Sequence, residues 1–251
     1  MKKLHFLSGL PRSGSTVLAK LLNQNPEIFA TSTSPFLDYL LPSVEQLHGI
    51  KNNHSSGHYV DIQRILSASA FAFHDTDRQH IIDKNRGWLI NYEAIDKELV
   101  KNPKIIVTLR PIEEIVASYY KLINHTNSSN ETPEQIFVGR IKGVYIDIMK
   151  KSYLKDKICI VTYDQLINNS KPTLEKVATF IGCDGHEYDI NNIIDTDPEN
   201  DEKWGVPYLH KIRPKLENQA LDPASILTKT ELNFCKQLTE ELYNAYEIPL
   251  L

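Results

Sequence analysis

The stretch "LSGLPRSGSTVLAKLLNQNP", Leu7 to Pro26, carries the residues best suited to chemistry. Gly9, Gly14 and Thr16 fit the phosphate-loop spacing G-x-x-x-x-G-K-[ST], but Ser15 stands where the lysine belongs and Arg12 lies inside the loop. The glycines permit tight turns and close backbone approach. A helix starting near Gly14 aims free N–H groups, and the positive end of its dipole, at an anion. Ser15 and Thr16 add hydroxyl donors, although a Ser or Thr there serves equally as a helix N-cap. Mg-ATP hydrolysis needs the missing lysine and a metal-holding carboxylate at another strand end. Asp83 and Asp164 are the candidates for that carboxylate, and each sits beside a residue better suited to anions or adenine. Arg12 instead offers a planar fork to a pair of phosphate or sulfate oxygens.

These residues need elements to position them. The apolar runs Leu4–Ser8, His80–Asp83, Lys104–Leu109 and Lys157–Thr162 read as buried parallel strands. Helical patterns fill the gaps. Val17, Leu18, Leu21 and Leu22 share one face; Ile112, Ile115, Val116 and Tyr119 share another, behind Pro111 in a first turn. Longer amphipathic stretches run from Pro133 to Leu154, Thr173 to Ile181 and Thr228 to Tyr246. Polar clusters at Lys51–Gly57, Asn124–Thr132 and Asp195–Lys203 mark loops, and none resembles an interdomain linker. The alternation predicts an α/β, three-layer P-loop-type fold: one domain over 1–251 with a central, mainly parallel sheet flanked by helices.

Ligands of open parallel sheets bind beyond the strands' carboxyl ends. Here the first strand runs into Gly9–Thr16, the second into Lys84-Asn85-Arg86, the third into Arg110 and the fourth into Tyr163. Cations at three exits and an aromatic hydroxyl at the fourth suit a multiply anionic nucleotide.

"LPRSGSTVLAKLL" resembles the phosphosulfate-binding loop of sulfotransferases that use 3′-phosphoadenosine-5′-phosphosulfate (PAPS). "VTLRPIEEIVASYYKL" resembles their second signature, an arginine after a strand and a serine eight positions on, matched by Arg110 and Ser118. "IVTYDQLINN" resembles a third element, with Tyr163 at the tyrosine near the adenine. The motifs follow in order from about Leu4 to about Ile181, and the arginine-type loop looks closer to the bacterial and tyrosylprotein-like branches than to the cytosolic small-molecule branch, whose loop usually carries lysine. The resemblance implies a PAPS-dependent enzyme moving a sulfuryl group to a hydroxyl or amine and releasing 3′,5′-adenosine bisphosphate (PAP). It implies cofactor contacts from Pro11, Arg12, Ser13, Gly14, Ser15 and Thr16 to the phosphosulfate, and from Arg110 and Ser118 to the 3′-phosphate. Lys84 matches the family's lysine near the bridging oxygen, and with Arg12 it is a candidate catalytic residue. In "DEKWGVPYLHKIRPKL", Lys211 and Arg213 are candidates for a basic loop over the nucleotide.

The general base departs from the family's patterns. Lys84-Asn85-Arg86 lacks the histidine of a Lys-Thr-His run, and Thr31–Pro35 lacks a glutamate. Asp38 is the nearest carboxylate and the candidate base; His54, His58 and His74 are further candidates. The acceptor side should come from Ser34–His74 and Asn124–Thr132. Phe36, Tyr39, Phe71 and Phe73 there either line an apolar pocket or pack the core.

A net charge of −4 argues against a nucleic-acid partner. Cys159, Cys183 and Cys235 have neither metal-ligand nor disulfide spacing, so reduced thiols and no metal site are expected. The N-terminal apolar stretch before Pro11 is too short for a signal-peptide core, and no segment suits a membrane span; these features predict a cytoplasmic protein. The expected acceptor is a small molecule, carbohydrate or peptide. Two other readings stay open: a P-loop kinase of a small molecule, and a non-catalytic nucleotide-binding protein.

Overall fold

The computed structural model describes residues 2–57, 60–195, 198–217 and 221–249. The chain opens with β1 (Lys3–Gly9), α1 (Ser15–Leu22), β2 (Ile28–Ala30), α2 (Phe36–Asn53) and α3 (Ile62–His74). It continues through β3 (His80–Lys84), α4 (Tyr92–Glu98), β4 (Ile105–Leu109) and α5 (Ile112–Thr126). Then come α6 (Pro133–Ile136), α7 (Lys142–Lys150), β5 (Cys159–Thr162), α8 (Tyr163–Asn168), α9 (Ser170–Ile181) and α10 (Lys229–Ala245).

The five strands form one parallel sheet in the order β2-β3-β1-β4-β5. Alternation along each strand divides the core between the two faces. Phe6, Ile81, Ile105 and Val107 meet Leu66, Trp88, Ile115 and Tyr243 on one side. Leu7, Ile82, Ile106 and Val161 meet Leu18, Leu22, Leu174 and Val177 on the other. Helices therefore cover both faces, giving the three layers that the strand–helix alternation predicts.

The register sets the site. Leu7 pairs with Lys84, Gly9 with Thr108, and Leu109 with Thr162, so the strand exits share one edge. The chain adds β3 on one side of β1 and then crosses to add β4 on the other, which opens a crevice at the end of β1.

Three details differ from the sequence expectations. The edge strand β2 has three residues and pairs only with β3, too short a run to show a period. The stretch expected as one helix from Pro133 is interrupted by a π-turn at Phe137–Ile141. The helices α2 and α5 reach Asn53 and Thr126, inside segments expected as loops.

Phe36 is fully buried against Trp88 and His74, whereas Tyr39 and Phe73 are about half exposed. The three cysteines are free and buried. Among the described residues, no helix is long and apolar enough to cross a membrane.

Candidate functional site

The loop between β1 and α1 is held by backbone choices that few residues tolerate. Gly9 has φ 144°, and a Cβ there would stand 2.3 Å from the Thr108 carbonyl oxygen. Gly14 has φ 89°, and its missing Cβ would lie 3.1 Å from both Leu166 and Tyr163. Between them Arg12 adopts a left-handed φ of 56° without being glycine, a strain typical of functional loops. Ser13 turns inward, with its hydroxyl 2.5 Å from the Leu10 carbonyl oxygen and 2.6 Å from Thr108 Oγ1. Its side chain, like the buried Pro11, serves the loop's shape and does not line the cavity beyond it.

The motif residues converge. Arg12 donates Nε–H to Ser118 Oγ at 3.3 Å and Nη1–H to the Leu209 carbonyl. Arg110 donates to the Arg12 carbonyl at 3.1 Å and to Glu114 Oε2 at 2.8 Å. Its guanidinium lies 3.8 Å from the centroid of the Tyr163 ring. Arg110 thus carries the cation at the end of β4, braces the loop backbone and stacks on the tyrosine at the end of β5. Burial lowers the Arg12 guanidinium from its ordinary value, with neighbouring Arg110 adding to the shift.

Lys84 stands on the other side of the loop. Its ammonium donates to Thr16 Oγ1 at 2.8 Å and to the Ser32 carbonyl, and lies 3.8 Å from Glu199 Oε1. Burial pushes this lysine down to about 8, while Glu199 pulls in the opposite direction. Thr33 Oγ1 donates to the same Glu199 oxygen at 2.7 Å.

A cavity of 560 Å³ opens beside Arg12 and Arg110, within the range of small-ligand pockets; Thr16 lines it, whereas Lys84 and Glu199 do not. Arg12, Gly14, Ser15, Thr16, Arg110, Ser118 and Tyr163 line it from the sheet side, and His210, Lys211 and Arg213 from the C-terminal segment. Lys121 and His125 also line it. They follow Ser118 at i+3 and i+7 on α5, a spacing that would have revealed them in the sequence.

The residues considered as a base fall elsewhere. Asp38 is exposed in the first turn of α2 and does not line the cavity. Among the described residues no hydrogen bond or ion pair joins it to Arg12, Lys84 or Thr16. His54 is exposed at the end of α2, and His58 lies outside the described residues. His74 is buried with its Nε2 3.0 Å from Asp83 Oδ2. Of the candidate metal carboxylates, buried Asp83 accepts from Trp88 Nε1 at 2.7 Å, and Asp164 accepts from Asn168 at 2.6 Å.

Sequence reasoning missed a cluster from residues 199–210. His210 Nδ1 is 2.7 Å from Asp201 Oδ1 and 3.2 Å from Glu199 Oε2. These three carry no motif spacing; Glu199 reaches Lys84 only because the segment folds back over the loop.

A family model described as "Sulfotransferase family" matches residues 6–187. A search of curated protein sequences finds no significant match. Similar solved structures include the sulfotransferase domain of the Synechococcus PCC 7002 olefin synthase, at 19% identity and TM-score 0.54, covering 99% of this chain and 96% of that one. A sulfotransferase from Alicyclobacillus acidocaldarius gives 11% identity and TM-score 0.58, covering 100% and 98%. A retinol dehydratase solved with androsterone and the inactive cofactor PAP gives 9% identity and TM-score 0.53, covering 98% and 82%. At these identities the likeness is one of fold.

Proposed function

Given that this chain belongs to the sulfotransferase family, we propose that it moves a sulfuryl group from PAPS to a hydroxyl or amine of a small molecule, carbohydrate or peptide. The observation that carries the reading is the meeting of Arg12, Arg110, Ser118 and Tyr163 at one cavity beside a phosphate loop whose helix N-terminus is open. PAP bound to a retinol dehydratase of the same fold supports the choice of nucleotide. The loop arginine favours the bacterial and tyrosylprotein-like branch, and the whole chain is read as one cytoplasmic domain.

The residues present fit the donor. The N–H groups and hydroxyls of Gly14, Ser15 and Thr16 would hold the 5′-phosphosulfate, and Arg110 and Ser118 the 3′-phosphate. Arg12, reaching from the loop to Ser118, would lie between these two anionic subsites. Tyr163 would take the adenine, and Lys211 and Arg213 would close over the nucleotide.

The donor supplies an activated sulfuryl group on a phosphate leaving group. The protein's part is alignment and charge stabilisation. Lys84, hydrogen-bonded to Thr16, stands where negative charge grows on the leaving oxygen. Cations from the chain itself fill the role that magnesium takes in kinases, and the buried engagement of Asp83 disfavours the kinase reading.

The test is thermal stabilisation by PAP against ATP with magnesium. A rise in Tm with PAP is expected. A rise with Mg-ATP alone overturns the reading.

A further inference from the structure

The end of the sheet opposite the strand exits gathers side chains that sulfuryl transfer does not use. A carboxylate oxygen of Glu27, a ring nitrogen of His80 and the Cys183 Sγ all lie within 4.8 Å of one another. We propose that these three residues bind a zinc ion, which ties the C-terminal end of α9 to the foot of the sheet.

Three distant segments build the group, so no ligand spacing marks it in the sequence. Glu27 immediately precedes β2, His80 is the first residue of β3, and Cys183 follows Gly182 at the end of α9. The Cys183 thiol donates to Glu27 Oε2 at a sulfur–oxygen distance of 3.5 Å. Zinc bonds of about 2.3 Å to sulfur and about 2.0 Å to oxygen, at the tetrahedral angle, set those two ligand atoms about 3.5 Å apart. An ion can therefore replace the thiol proton between sulfur and carboxylate with little movement of either, and the proton leaves to solvent.

The surroundings orient the ligands. The His80 backbone N–H donates to the Glu27 carbonyl at 2.9 Å. Asn25 braces the other two residues: its Nδ2–H donates to Cys183 Sγ at 3.4 Å, and its Oδ1 accepts the Glu27 N–H at 2.9 Å. His5 Nε2 and His80 Nδ1 are 3.1 Å apart, a hydrogen bond that fixes the His80 ring. Outer partners of this kind hold the ligands of metal sites. His5, Asn25, His80 and Cys183 are buried, while Glu27 is exposed and leaves an entry path from solvent.

Two near-parallel imidazoles stand here where apolar side chains would pack at lower cost. His5 Nδ1 has no hydrogen-bond partner among the described residues, so packing and pairing alone do not account for the pair. Burial lowers both rings from their ordinary value, His5 to about 3, which keeps His80 neutral as a ligand must be.

Donor type and charge select the metal. Thiolate, imidazole and carboxylate suit zinc, whereas calcium and magnesium prefer oxygen. Thiolate and carboxylate together balance the ion's two charges, which offsets the field of Lys3 and Lys104 on the histidines. Water completes the tetrahedron. A second cluster, Glu199, Asp201 and His210, has no sulfur and has the Lys84 ammonium 3.8 Å from Glu199, which disfavours a cation there. His80 and Lys84 are the two ends of β3, about 13 Å apart, so the ion is structural and stands away from the nucleotide cavity.

The test uses the full chain, kept reduced, stripped with EDTA and titrated with zinc at neutral pH. Calorimetry should find one ion per chain, and zinc should raise Tm. His5→Phe should weaken binding by about 10–100-fold, the cost of losing an outer partner, and Cys183→Ser by more than that. Cys159→Ser and Cys235→Ser should bind zinc like the wild type. Absence of stoichiometric binding, unchanged affinity in Cys183→Ser, or loss in Asp201→Asn instead overturns the assignment.

A second readout needs no variant. X-ray absorption of the zinc-loaded wild type should show one sulfur at about 2.3 Å and nitrogen or oxygen ligands at about 2.0–2.2 Å. A shell without sulfur, or with more than one, overturns the proposal whatever the affinities show.

Discussion

Arg12 and Ser118, 106 residues apart, are joined by a 3.3 Å hydrogen bond from the arginine Nε to the serine hydroxyl. The contact ties the phosphate loop to α5, making one site from two separate motifs. Arg12→Ala should therefore weaken PAP binding by about 1.5–3 kcal/mol, the range for a hydrogen bond to a charged group. Ser118→Ala should cost about 0.5–1.5 kcal/mol. Calorimetry on the double variant should give less than the sum, because the residues share a contact.

Arg110 has a role that charge alone does not fill. It stacks on Tyr163, bonds Glu114 and holds the Arg12 carbonyl at once. Arg110→Lys keeps the charge but loses the planar fork. It should lower both PAP affinity and Tm, whereas a purely electrostatic role would leave Tm unchanged.

Lys84 makes nucleotide binding depend on pH. Its free-protein pKa is held down to about 8, and an anionic ligand raises it. Below that pH the lysine is protonated with or without ligand, and affinity is full. Above it, binding must take up a proton, so PAP affinity should fall by about tenfold per pH unit until the bound-state pKa is reached. Titration calorimetry between pH 7 and 9 measures this, and Lys84→Met should abolish the slope.

Two glycines predict opposite outcomes. Gly14→Ala forces a Cβ at φ 89° against Leu166 and Tyr163 at 3.1 Å, and should cost about 1–3 kcal/mol together with PAP binding. Gly143 lies within α7 with nothing within 4 Å of its missing Cβ. Gly143→Ala should stabilise the protein by about 0.5–1 kcal/mol in urea denaturation, with PAP binding unchanged.

Asp83 is a buried acceptor for the Trp88 indole. Asp83→Ala strands the Trp88 N–H in the core and should cost about 1–3 kcal/mol. Loss of stability, without any gain or loss of an Mg-ATP effect, is the expected result.

The amino-acid sequence determined what is local. The glycine loop, the spacing of Arg110 and Ser118 and the tyrosine after β5 were legible because each is a short pattern attached to one strand end. Parallel strands joined by helices leave those ends on one edge, so local patterns already implied a shared site. The apolar runs likewise revealed four of the five strands, while β2 was too short to show a period.

Tertiary structure decided the rest. The order β2-β3-β1-β4-β5 sets which exits face each other, and no single segment encodes it. Ser13 matched the loop motif, yet packing turned its hydroxyl onto Thr108. The return of residues 199–210 over Lys84 brings in Glu199 and Leu209, whose partners Lys84 and Arg12 lie more than a hundred residues away. Contacts of that range depend on how a non-periodic segment packs against a finished sheet. A sequence pattern records backbone preferences over a few residues, and it carries no signal for such contacts.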